Sequence, residues 1–141
     1  MTHNTFTTKY NGRFLEFNGD QYRNQCMDEF WAYLKEVLNV DPTPYRGWGT
    51  AKRCYLNFNN IKGASANFIR IPNTPTGVPQ KGDIIFWGTY PFVTGFAGHV
   101  AIIENANVNT LISFDQNWPT YSPCHFQKHS YKGVMGWLRK R

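Results

Sequence analysis

From Cys26 onward the apolar residues recur at helical spacing, with Phe30, Trp31, Leu34, Val37 and Leu38 on one stripe. This pattern predicts a helix to about Asn39, stopped by Pro42 and Pro44. Asn24 is a candidate N-cap, and Asp28 falls in the first turn, where a carboxylate suits the helix dipole. A second stripe of Ala51, Cys54, Tyr55 and Phe58 predicts another helix, capped by Thr50. Beyond residue 80 the pattern changes to short apolar runs. Asp83–Trp87, His99–Glu104, Thr110–Asp115 and Lys132–Leu138 are predicted strands, with Tyr90–Gly98 a loop and Asn105–Asn109 a turn. Met1–Gly12 reads as a polar lead-in, and Asn59–Gln80, rich in Asn, Gly, Pro and Thr, as a long irregular connection. Helices first and strands after predict an α+β fold, with N-terminal helices packed on an antiparallel sheet.

Composition narrows the class. A chain of 141 residues fits one domain with a real core. Its formal charge of +6 suits either a solvated basic surface or a polyanionic partner: nucleic acid, an anionic membrane or an acidic cell wall. Aromatic residues make up 17%, enough to line a cleft as well as fill a core. No stretch approaches a membrane span, and the polar N-terminus lacks the apolar region of a secretory signal. Cys26, Cys54 and Cys124 are odd in number and lack zinc spacing, which argues against a zinc site or a disulfide framework.

The chemistry concentrates where a polar loop becomes the first long helix. A thiol at Cys26 faces unpaired backbone N–H groups and the positive end of the dipole, both of which favour a thiolate. A lone cysteine on an amphipathic helix is more often a small buried hydrophobe, so a base and an orienting group must also be found. His99 begins one predicted strand and Asp115 ends the next, across a short turn. Antiparallel pairing brings the two together at one end of the sheet. Thiol, imidazole and carboxylate in that order follow the logic of a cysteine hydrolase. Gln25 either contributes its amide to an oxyanion hole with the Cys26 N–H or caps the loop. His125 and His129 lack zinc spacing and read as surface residues in a polar loop; Glu104 points to the sheet face opposite His99.

Five segments together resemble the CHAP family, the cysteine- and histidine-dependent amidohydrolases/peptidases that cleave bacterial peptidoglycan. They are Gln25-Cys-Met-Asp28, Pro79-Gln-Lys-Gly-Asp-Ile-Ile-Phe-Trp87, Gly98-His-Val-Ala-Ile-Ile103, Asp115-Gln-Asn-Trp118 and Gly133-Val-Met-Gly-Trp137. The resemblance implies a papain-like fold over residues 1–141, with Cys26 as nucleophile, His99 as base and Asp115 as third member. Asn117 is the alternative orienting group, and Trp118 belongs at the cleft rim. Phage-lysin members mostly carry Glu at the third position, so Asp115 departs from their pattern.

The same resemblance implies calcium in the loop before the helix, with Glu16, Asn18, Asp20, Tyr22 and Asp28 as ligands. It further implies a monomer acting on peptidoglycan, made in the host cytoplasm and released with a holin. A wall-binding module after residue 141 is compatible with it. The rival class is a non-catalytic binder, either of nucleic acid through basic and aromatic residues or of wall fragments; against the nucleic-acid reading, the aromatic residues sit in apolar runs and do not alternate with basic ones.

Overall fold

The computed structural model describes residues 1–17, 19, 24–89 and 95–141. Five helices precede or flank the sheet: α1 (His3–Tyr10), α2 (Cys26–Glu36), α3 (Thr43–Arg46), α4 (Ala51–Leu56) and α5 (Ala64–Asn67), with a 3₁₀ turn at Phe58–Asn60. Six strands follow: β1 (Phe68–Pro72), β2 (Ile84–Trp87), β3 (His99–Ala106), β4 (Thr110–Asp115), β5 (His125–Ser130) and β6 (Val134–Lys140). They form one antiparallel sheet in the order β1-β6-β2-β3-β4-β5. This is the α+β architecture that the order of patterns predicts.

The central strands are apolar on both faces because both faces are covered. Ile84, Phe86, Val100, Ile102 and Phe114 join Phe30 and Leu34 of α2 in the larger core. Their alternate neighbours Ile85, Trp87, Ala101, Ile103 and Trp137 form a second cluster. Full burial of each such side chain contributes roughly 1.5–3 kcal/mol, so these strands anchor everything attached to their ends.

Four expectations are corrected. Residues 1–12 are not a free lead-in: Thr2 caps α1, Phe6 is fully buried edge-on to Tyr33, and His3 bridges the Tyr33 hydroxyl (2.9 Å) and Glu104 (2.6 Å). With few apolar residues, α1 shows no helical stripe; tertiary contacts hold it. Residues 59–80 are only partly irregular, because α5 and β1 lie within them, β1 pairing along β6. The polar stretch 125–130 is not a loop but β5, paired along β4. Finally, Gln25, not Asn24, is the N-cap of α2; Asn24 takes the left-handed conformation at φ 56° that turns the chain into the helix.

The remaining boundaries are close. Thr50 caps α4 by accepting from the Arg53 N–H at 3.2 Å. All three cysteines are free. Among the described residues no helix is long and apolar enough to cross a membrane. Of the predicted loop 90–98, residues 90–94 lie outside the described residues.

Candidate active site

Cys26 is the first residue of α2 and is half-buried. The Asp28 carboxylate fastens this helix start, accepting from the Gln25 N–H at 2.8 Å and from the Phe17 N–H at 3.2 Å. Asp28 is therefore a capping residue that ties the preceding loop to the helix. The position of Cys26 is thus fixed by backbone geometry at the helix start.

His99 opens β3 directly opposite Trp87 of β2. Gly98 before it has φ 71°, and a Cβ there would collide with the Trp87 carbonyl oxygen and crowd Lys52. Glycine thus lets the strand begin close against β2 and α4. The His99 Nε2 lies 3.0 Å from Asp115 Oδ2. That leaves Nδ1 for the Cys26 sulfur, which also hydrogen-bonds the ring. Burial works against the imidazolium, but the Cys26 thiolate charge and the hydrogen bonds to Asp115 and Cys26 outweigh it, raising His99 to about 9.

Asp115, fully buried at the end of β4, has three side-chain partners. Oδ2 accepts from His99 and also from His129 Nε2 at 2.9 Å, while Oδ1 takes the Ser113 hydroxyl. Burial alone would raise this carboxyl; the hydrogen bonds from His129 and His99 reverse the sign and lower it to about 2. It stands ionised beside a protonated imidazole.

Asn117 does not orient His99. Its Nδ2 donates to Gln25 Oε1 at 3.0 Å, and its Oδ1 accepts from the Tyr121 N–H at 2.7 Å. That bond fixes the Gln25 amide with its oxygen toward Asn117 and makes the NH₂ its donor end. Gln116, between the two, is buried and ties Leu15 to the Gln25 carbonyl, joining the start of α2 to the end of β4. Trp118 stands edge-on to His99 at a centroid distance of 4.8 Å and edge-on to Trp87 at 5.2 Å.

The structure thus brings together Cys26, His99, Asp115, Gln25, Asn117 and Trp118. His129, expected at the surface, is a correction: it is buried on β5, against Asp115, Trp118 and Trp87. The local sequence carries no signal for this, because the alternation of β5 is one of burial and not of residue type. Along β5 residues 125, 127 and 129 are less exposed than residues 126, 128 and 130. Glu29 was also missed. It is fully buried on α2, with neither carboxyl oxygen in a well-formed hydrogen bond among the described residues. Burial, then the charges of Asp115 and Cys26, push it well above the usual carboxylate range; the Gln116 backbone offsets this only in part.

The implied calcium loop divides. Asn18, Asp20 and Tyr22 lie outside the described residues. Glu16 accepts from the backbone N–H groups of Gly19 (2.8 Å) and Asn24 (3.3 Å), and Asp28 is engaged as above. Among the described residues no group of three acidic, histidine or cysteine side chains is arranged to hold a metal. The two described carboxylates of this loop, Glu16 and Asp28, are both engaged by backbone N–H groups.

Cys26 opens into a cleft of about 810 Å³ walled by Gln25, Trp31, Arg46, Thr50 and Gly98. A second groove of about 530 Å³ shares Thr43 and Arg46 with it and carries Lys35. The Arg46 guanidinium lies over the rings of Trp31 (5.3 Å) and Phe17 (5.7 Å). The other two cysteines are structural. Burial pushes Cys54 up to about 12 and Cys124 higher still, so neither is a nucleophile near neutral pH.

The CHAP domain profile matches residues 16–117. The chain belongs to the CHAP family. It is similar to "Probable autolysin PH" of Staphylococcus aureus, 48% identical over 48 residues that make up 34% of this chain and 10% of that protein. Among solved structures the CHAP chain resembles the wild-type endolysin LysIME-EF1, with a TM-score of 0.72 and 24% identity over 96% of this chain and 61% of that one. Ly7917 matches with a TM-score of 0.70 and 16% identity over 99% of this chain and 62% of its own, and has also been solved with the hydrolyzing product of MDP. These likenesses are of fold. The CHAP chain spans about three fifths of those two structures and a tenth of the staphylococcal protein.

Proposed function

We propose that this CHAP domain hydrolyses an amide or peptide bond of bacterial peptidoglycan, with Cys26 as nucleophile, His99 as acid and base, and Asp115 as the group that orients His99. The observation that carries the proposal is the junction itself: one imidazole bonded to a helix-N-terminal thiol and to a buried carboxylate, at the wall of a cleft. The relatives' names, endolysin and autolysin, point to the wall as the substrate class.

The chemistry follows from the positions. The Cys26 thiolate attacks the carbonyl carbon, and the developing oxyanion is met by the Cys26 backbone N–H, with the Gln25 NH₂ as second donor. His99 gives its proton to the leaving amine as the C–N bond breaks, leaving a thioester on Cys26. Water then adds to the thioester, His99 takes its proton, and the acid leaves with the thiolate restored. Asp115 stays ionised throughout and keeps the ring in register. The cations Arg46 and Lys35 favour acidic groups on the peptide, and the net charge of +6 holds the domain near anionic polymers, more weakly as salt rises. The proposal extends to action outside the producing cell after holin-type release, as a monomer.

Purified Gram-positive walls provide the test, with turbidity followed for wild type and Cys26→Ala, each with calcium and with a chelator. Clearing by wild type alone is the expected result. Equal clearing by both variants overturns the assignment of Cys26. Mass spectrometry of the released fragments distinguishes an N-acetylmuramoyl–peptide cut from a cut within the peptide. Loss of clearing in chelator would support calcium in the loop at 16–28. Failure to clear walls together with tight, salt-sensitive binding to single-stranded nucleic acid would favour the binding class instead.

A further inference from the structure

We infer that His129 is a positioning residue for this site: it holds the Asp115 carboxylate that in turn holds His99. The inference rests on the proposed roles of Cys26 and His99. A carboxylate oxygen has two lone-pair directions, and Asp115 Oδ2 fills both with imidazole nitrogens, His99 Nε2 at 3.0 Å and His129 Nε2 at 2.9 Å. Ser113 engages the other oxygen. Because the carboxylate only accepts, His129 carries its proton on Nε2. Its ring cannot swing away easily: Trp118 covers it at 4.3 Å and Trp87 meets it edge-on at 5.0 Å, the same two rings that flank His99. The site is therefore a His–Asp–His bridge between two tryptophans, with the thiol on the His99 side.

The second donor has a chemical consequence. A carboxylate that already accepts from Ser113 and His129 is a weaker base, so the catalytic proton stays on His99 instead of passing to Asp115. It also fixes Oδ2 in line with His99, and a vacant lone pair in that buried place would be costly. The other titratable groups facing the bridge are Cys26 and Glu29 of α2 and Cys124, just before β5.

The test uses the rate of Cys26 alkylation by iodoacetamide across pH, read by mass spectrometry of the Cys26 peptide. It reports the thiolate–imidazolium pair without requiring any wall substrate. A failure of the wall assay and a failure of this inference are therefore separable. His129→Phe keeps the ring stacking and removes the donor; it is expected to slow alkylation at neutral pH by roughly tenfold or more. His129→Gln, whose amide NH₂ reaches the Nε2 position, is expected to stay within about threefold of wild type, while the shorter His129→Asn falls with Phe. In an Asp115→Asn background, His129→Phe should add less than about twofold, because its effect runs through Asp115. If His129→Phe fails to fold, the Gln and Asn variants carry the same comparison. A His129→Phe chain that alkylates like wild type overturns the inference. So does Gln failing as badly as Asn at unchanged melting temperature, or a loss in the Asp115→Asn background as large as in wild type.

Discussion

His99 and His129 approach the same carboxylate oxygen at nearly the same distance, are both buried, and lie against the same two tryptophans. His99 has the thiol as a further partner, and it is driven up to about 9. Burial and a carboxylate partner are thus shared, and the Cys26 contact is what sets the proposed base apart from the proposed brace. On that reading, catalytic character lies in the third contact, not in the His–Asp pair.

Removing what distinguishes the two rings should have the largest effect. Cys26→Ala and His99→Ala should each abolish wall clearing, by at least about a thousandfold, with folding intact by circular dichroism. Removing what the rings share should come next: Asp115→Asn is expected to lower the rate about a hundredfold or more, since the amide can present its donor to His99 and select the wrong tautomer.

The pH response sharpens the same contrast. The imidazolium of His99 is favoured in the folded chain, so its contribution to stability is fully present below about 6.5 and lost as pH rises through about 9. Clearing, which needs the His99 proton for the leaving amine, should fail over the same alkaline limb. Asp115 runs the other way. Its contribution is present above about 3.8 and lost as pH falls toward about 2. In Cys26→Ala the His99 titration, followed by NMR, should move down from about 9, because the thiolate charge is the largest influence raising it.

The smallest expected effect concerns stability. The Glu29 carboxyl is raised well above 4.5 in the folded chain, so its ionisation opposes folding increasingly as pH rises from about 4.5. Glu29→Gln should therefore gain stability over wild type as pH rises from about 4.5 toward 7 in urea titrations. A gap that stays flat across that range would contradict a raised Glu29 carboxyl.

What the amino-acid pattern reveals depends on where a strand sits. β2, β3, β4 and β6 are interior strands with apolar runs, and each is legible within about two residues. β1 and β5 are the two edges of the sheet, and both were hidden. Phe68-Ile-Arg-Ile-Pro72 lies among turn-forming residues, and His125–Ser130 is almost wholly polar. Edge strands bury less, so their sequence is freer and their pairing is dictated by the neighbour. The same cause hid His129, whose importance comes from a cross-sheet contact absent from local sequence. Cys26, His99 and Asp115 were legible because helix start, strand start and strand end each have a local signature. The division between Asp115 and Asn117 was not, because two residues along one turn can serve the imidazole equally well until the backbone is placed. At Asn117 the left-handed backbone, φ 68°, accompanies a side chain bonded to Gln25.

The most direct measurement is acid-quench trapping during turnover on wall fragments, followed by mass spectrometry of the peptide containing Cys26. The account predicts a thioester adduct on Cys26 that accumulates in wild type and is absent in His99→Ala. Fragments released at the wild-type rate by Cys26→Ala, with no adduct on Cys26 of the wild-type chain, would contradict it.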